Sequence, residues 1–283
     1  MRGLVALGVA LAWAAVAQNE KLPEQPPEKP LLQNTGKPMV VDCHCTAEDI
    51  QASGLTCTND DPCALFLELD AVETVGNRIF LAGNIHTSTV TLYSVLLASD
   101  DGGKTWLEPY ERIPAAGLDH IQFIDFQNGW ISGEVQRPLP RDPFLLATED
   151  GGKEWRSQPV FSDSQFGSVL QFGFTSPTNG TLIVDRGAGG ESGRYETYET
   201  LNGGATWMPR QANQQPRQVS RTAGSGNADW RLRADAATKA YRVEHHTGGA
   251  WRGVAAFAVS IGACRPPEPV AAPPADSRPS PAP

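Results

Sequence analysis

Charge is scarce in this sequence. Only 19% of its 283 residues are Asp, Glu, Lys or Arg, well short of the charge-rich pattern of a coiled coil. Glycine, at 28 residues, is far from the one-third share of a collagen, and a 40% hydrophobic share excludes a fully disordered chain. Basic residues are the rarer sign, 23 against 32 acidic, so the formal charge is −9. Such a chain does not attract phosphate backbones overall, and nucleic acid is not expected among its partners. The P-loop, the dinucleotide fingerprint, the serine elbow and the H-E-x-x-H zinc motif are all missing. No cofactor, metal or catalytic residue is assigned.

Turn chemistry is what the sequence has in excess. Its 28 Gly and 23 Pro make about 18% of the chain, against roughly 12% in an average protein. That favours many short strands over long helices. The prolines gather near both ends: five within residues 18–38 and eight within 265–283. Both stretches read as extended and unpacked, a linker and a disordered tail. Residues 1–17 carry one Arg, an apolar stretch and Ala15-Val16-Ala17, the small-x-small pattern of a secretory cleavage site. They are too short and alanine-rich for a membrane span. An exported protein, periplasmic or extracellular and without a stable membrane span, is expected. No Cys follows Ala17, so a lipid anchor is not indicated. Residues 39–264 remain to fold, enough for one sizeable core.

That core repeats. Ser99-Asp100-Asp101-Gly102-Gly103-Lys104-Thr105-Trp106 returns as Thr148-Glu149-Asp150-Gly151-Gly152-Lys153-Glu154-Trp155. It returns again as Thr200-Leu201-Asn202-Gly203-Gly204-Ala205-Thr206-Trp207, and a worn fourth copy ends in Gly248-Gly249-Ala250-Trp251. The tryptophans lie 49, 52 and 44 residues apart. Strand-like runs precede the three clean copies at 95–98, 144–147 and 195–198. A second motif keeps the same phase: Ile121-Gln122-Phe123 and Leu170-Gln171-Phe172, each followed by an Asn-Gly. Two motifs on one period define a true repeat.

The residues explain the turn. The glycine pair supplies positive φ, and the Asp101 or Asp150 carboxylate can accept from backbone amides across it. The Ser99, Thr148 or Thr200 hydroxyl joins that network. The tryptophan then turns back as a plug between sheets, burying about 150–250 Å². Asp101 and Asp150 occupy equivalent places in different repeats and read as structural rather than as a catalytic pair. The set expected to be structural is Ser99, Asp101, Gly103, Trp106, Thr148, Asp150, Gly152, Trp155, Thr200, Asn202, Gly204, Trp207, Gly248 and Trp251.

The pattern Ser/Thr-x-Asp-x-Gly-x-x-Trp resembles the Asp-box, or BNR repeat, of sialidases, sortilin-type receptors and photosystem II assembly-factor propellers. The phrase Phe123-Ile124-Asp125-Phe126-Gln127-Asn128-Gly129-Trp130 looks most like the assembly-factor branch. The resemblance covers about residues 67–255. It implies an all-β fold, a small β-propeller with one box per blade. The repeat length suits four or five blades, with residues 39–66 as a partial fifth blade or a closing strand and 254–261 as a late strand. Arg112-Ile113-Pro114 mimics the sialidase R-I-P motif but follows a box instead of preceding the first. The rest of the sialidase machinery has no matching positions, and Tyr195-Glu196 and Tyr198-Glu199 belong to a strand.

Five cysteines remain: Cys43, Cys45, Cys57, Cys63 and Cys264. Their spacing lacks the usual zinc pairs, and in an exported chain disulfides are the better reading. Cys57 and Cys63 flank a turn-rich loop that can bridge them. A propeller brings its chain ends together, so Cys264 is expected to pair with Cys43 or Cys45. His245-His246 sits in the degenerate fourth copy and reads as solvated.

Charge is split along the chain. Residues 39–185 carry 7 basic and 21 acidic side chains, a net of −14, and residues 186–252 carry 10 and 6, a net of +4. Nine of those ten are Arg. Arginine forks suit carboxylates and are enriched at interfaces, which makes Arg210, Arg217, Arg221, Arg231 and Arg233 candidates for a partner surface. Blade-to-blade attraction is the plain alternative. Two function classes follow: an exported, non-catalytic propeller that binds a protein partner as a scaffold or assembly factor, or a carbohydrate-active propeller, either a glycosidase or a glycan-binding module.

Overall fold

Alternate residues of Arg78–His86 and Thr91–Ser99 serve two different cores, which is why both strands are buried nearly end to end. Ile79, Leu81, Ile85, Val95 and Leu97 face one side, and Phe80, Ala82, Leu96 and Ala98 face the other. With Phe66–Val75 these strands form the first sheet, extended by a bridge from Ala98 to Leu107. The computed structural model describes residues 31–43, 45–187, 193–220, 228–260 and 263–264. The signal-peptide reading of 1–17 and the tail 265–283 lie outside them.

Three further sheets repeat the plan. The second is Ala116–Phe123, Gly129–Gln136, Pro140–Thr148 and Arg156–Pro159, in sequential antiparallel order. The third is Ser168–Phe174, Gly180–Asp185, Tyr195–Thr200 and Met208–Asn213. The fourth is Trp230–Asp235, Ala240–Thr247 and Ala250–Val259, completed by Met39–Val41 running parallel to Phe257–Val259. The first strands of the sheets pack on one another at the centre, Phe66–Val75 against both Ala116–Phe123 and Trp230–Asp235. This is a β-propeller.

Three apolar cores fill three of its junctions. One joins the fourth sheet to the first through Val243, Ala255, Phe257, Leu81 and Leu97. A second joins the first to the second through Phe80, Leu96, Phe123 and Ile131. A third joins the second to the third through Trp130, Leu145, Phe172, Phe174 and Leu182. Among the described residues no such core joins the third sheet to the fourth.

The repeated tryptophans follow the same division. Trp106 is fully buried, edge-on to Phe257 at 5.0 Å. Trp155, 6% exposed, meets Phe80 and Phe123 at 6.0 and 5.9 Å. Trp207 meets Phe174, on which Trp130 is stacked at 3.7 Å. Trp251 is 37% exposed, and its ring contacts among the described residues are His246 and the Arg231 guanidinium. The second glycine of each turn agrees. A methyl at Gly103, Gly152 or Gly204 would strike Val254, Phe80 or Gln158 of the preceding sheet at 2.6–2.9 Å. At Gly249 it would meet nothing within 4 Å.

The N-terminal segment closes the fourth-to-first junction. Leu32–Gln33 pairs with Thr105–Trp106, and Asn34 Nδ2 donates to the carbonyls of both Gly103 and Val254 at 2.7 Å. Within 18–38, read as linker, this stretch is therefore a strand, held by backbone bonds that its proline-rich surroundings do not reveal. Residues 39–66 supply a closing strand and a short helix, Ala47–Ser53, capped by Thr46 and Asp49. The late strand starts at Ala250, ahead of its expected start at 254, because the fourth turn is only Gly248-Gly249. His245 and His246 accordingly lie in a strand and not in a turn, and His245 stacks on Trp230 at 4.3 Å. Cys45 is bonded to Cys264 and Cys57 to Cys63, leaving Cys43 free and buried.

Two stability predictions follow from this division. Trp106→Ala opens a cavity between sheets and should cost about 3–5 kcal/mol in thermal or urea unfolding. Trp251→Ala should cost about 1 kcal/mol or less, the size of its exposed contact with Arg231. The Cys45–Cys264 bond spans 219 residues. Replacing both cysteines by Ala should lower stability by up to about 5 kcal/mol, measured as a fall in the urea midpoint.

Candidate functional site

The repeated turns consume their own polar groups. Asp101 Oδ1 accepts from the Ser99 hydroxyl and from the amides of Lys104 and Thr105, all at 2.9 Å, and Oδ2 from the Thr105 hydroxyl at 2.7 Å. Ser99 Oγ in turn accepts from the Gly103 amide at 2.8 Å. Asp150 repeats the pattern with Thr148, Lys153 and Glu154, and Asn202 with Thr200 and Thr206. The Thr105 amide and hydroxyl lead the bonds that hold the Asp101 carboxyl down to about 2. These carboxylates are tied into their own turns, chiefly through Oδ1. Arg112, the sialidase-like arginine, is likewise engaged, bidentate to Glu108 at 2.8 and 2.6 Å.

A second group of carboxylates lies where the first strands meet. Glu68 and Asp70 come from the first sheet, and Asp119 and Glu134 from the second. Asn84 Nδ2 donates to Asp70 at 3.5 Å, Gln136 Nε2 to Glu134 at 3.4 Å, and His86 stands 3.9 Å from Glu68. Burial first, then the neighbouring Glu68 and Asp119, push Asp70 up to about 7. Glu134, 4% exposed, is pushed up to about 9 by burial and by Asp119, with which it shares a hydrogen bond. Two carboxylates only accept, so that bond needs a proton on one of them. Glycosidase carboxyl pairs stand about 5 Å or more apart. Asp119 and Glu134, joined through a shared proton, are not such a pair.

This group is not legible in the sequence. Asp119 and Glu134 are 15 residues apart and meet only through the register of neighbouring strands, which no local motif reports.

The candidate arginines divide. Arg210 is paired with Glu199 at 2.7 Å and Arg231 with Glu244 at 2.6 Å, so a carboxylate on an adjacent strand already neutralises each of them. Arg217 is exposed in the connection between the third and fourth sheets, and Arg221 lies outside the described residues. Arg233 sits directly across from Arg242, which turns instead to Asp235 at 2.6 Å. Arg231, over the Trp251 ring at 4.2 Å, shares their face. The opposite face of the same sheet carries Leu232 and Val243 into the core with the first sheet.

No family model matches the chain, and no curated protein does. Sixteen solved chains match in fold. Among them is YCF48 bound to D1 peptide, at 19% identity and a TM-score of 0.40, over 68% of this chain and 56% of that one. YCF48 from Cyanidioschyzon merolae matches at 18%, with a TM-score of 0.33 over the same shares. The GH74 xyloglucanase from Xanthomonas campestris matches at 16% and 0.37, over 62% of this chain and 26% of the enzyme. The chain thus spans about half the length of the YCF48 structures and a quarter of the xyloglucanase.

Two pH responses follow. The folded chain holds Asp101 ionised below its unfolded pKa of 3.8, so its contribution is complete above that pH and is lost as pH falls towards about 2. Asp101→Asn should melt closer to wild type at pH 2 than at pH 6. Glu134 has the opposite sign. Its native proton is one that the unfolded chain releases above about 4.5, so stability falls as pH climbs towards about 9. Glu134→Gln should flatten that slope and raise the melting temperature relative to wild type at pH 8.

Proposed function

We propose that the protein is an exported, non-catalytic propeller that binds a protein partner and acts as a scaffold or assembly factor. One observation carries this reading. The outward face of the fourth sheet joins an exposed tryptophan, Trp251, to Arg233, which has no acidic partner among the described residues. Tryptophan and arginine are the side chains most enriched where protein interfaces draw their affinity. Export is supported by two disulfides, which persist in oxidising compartments. No described helix is long and apolar enough to cross a membrane.

The carbohydrate-active alternative has less support. Its hydrolase form needs two separated carboxyl groups; the turn aspartates are tied into their own turns and Asp119 and Glu134 share a proton, which leaves Glu68 and Asp70 as the pair it would have to use.

Hydrogen exchange on the chain bound to a partner captured from its own exported fraction tests the proposal. Protection is expected within 208–217 and 230–252. A preparation that captures no protein partner but turns over a sialoside or a glucan would overturn it.

A further inference from the structure

A like-charged pair sits between the edge strand Trp230–Asp235 of the fourth sheet and its neighbour Ala240–Thr247. Arg233 and Arg242 are direct cross-strand partners, an arrangement that costs stability in a sheet. Asp235 draws Arg242 aside and leaves Arg233 without a counter-charge among the described residues. One carboxylate set between the two guanidinium groups would relieve the repulsion, and their forks suit its geometry.

Beside them lies the fourth plug without its socket. Trp106 and Trp155 are pressed against the sheet before them. Trp251 follows a turn where a methyl built at Gly248 or Gly249 meets nothing within 4 Å among the described residues. The register sets Trp251 opposite His246 and Arg233 opposite Arg242, so along Ala240–Thr247 the two positions lie four residues apart, about 13 Å. An extended polypeptide repeats its side chains on one face at every second residue. A residue beside Trp251 therefore places the residue four further on at Arg233 and Arg242.

We infer that this face docks an extended segment of a protein partner in which an apolar or aromatic residue and a carboxylate are spaced four apart. The segment occupies, at the fourth turn, the place that the preceding sheet occupies at the others. A long polyanion is disfavoured by the net charge of −9, which repels all but a short acidic stretch. The inference rests on the protein-binding reading and specifies its surface.

Fluorescence anisotropy on the full chain tests it, with a labelled peptide of about twelve residues that alternates Thr and Glu around a central Phe. Companion probes are the same peptide with Gln for Glu and an oligogalacturonate. The acidic peptide should bind at low salt and weaken as salt rises. Arg233→Ala and Trp251→Ala should each weaken it about tenfold, the size expected of an interface anchor, and Arg156→Ala on the second sheet should not. Equal binding by the Gln peptide, binding indifferent to both substitutions, or binding of oligogalacturonate in its place would each overturn the inference. A captured partner whose protection maps elsewhere also overturns it, while leaving the protein-binding reading standing. Failure to capture any protein partner counts against that reading itself.

Discussion

The wedge of an indole between two sheets is the interaction on which the rest of this structure depends. The first two sheets carry apolar residues on both faces and need cover on each. Here the cover for each sheet is its neighbour, and the tryptophan at the end of a tight turn fixes how closely the two approach. The turn must be rigid for that to work. The glycine pair admits φ values of +72° and +93° at Gly102 and Gly103, and Asp101 ties the amides that follow. Asn34 adds a bond from outside, reaching the same turn and the fourth sheet together.

The chain does not close its ring evenly. The junction of fourth and first sheets has a core, a plug, a pairing strand and the Cys45–Cys264 bond nearby. The junction of third and fourth has none of these among the described residues. The sheet so anchored on one face is thereby free to present the other. Its outward side chains are long and charged, as expected of a surface in water, yet their charges do not cancel at Arg233.

Much of this was legible in the sequence because a turn is local. Gly-Gly, the capping hydroxyl, the aspartate and the tryptophan lie within eight residues, and their period announces the sheets. Residues 95–98, 144–147 and 195–198 lie inside strands for the same reason. What was not legible depends on pairing at a distance. Leu32–Gln33 is a strand only because Thr105–Trp106 is beside it. Asp119 and Glu134 meet through strand register, and Arg210 and Arg231 lose their free charge to carboxylates across the sheet. Trp251 is the sharpest case. The fourth repeat retains the tryptophan, but whether it acts as a plug is decided by an aromatic partner such as Phe257 or Phe80, and among the described residues none reaches it from another sheet.

Hydroxyl-radical footprinting of the folded, oxidised chain, read tryptophan by tryptophan, tests that account most directly. The three filled junctions and the open fourth predict rapid oxidation at Trp251 and strong protection at Trp106 and Trp155. Protection of Trp251 equal to that of Trp106 in the unliganded chain would contradict it, because the fourth plug would then be seated like the others.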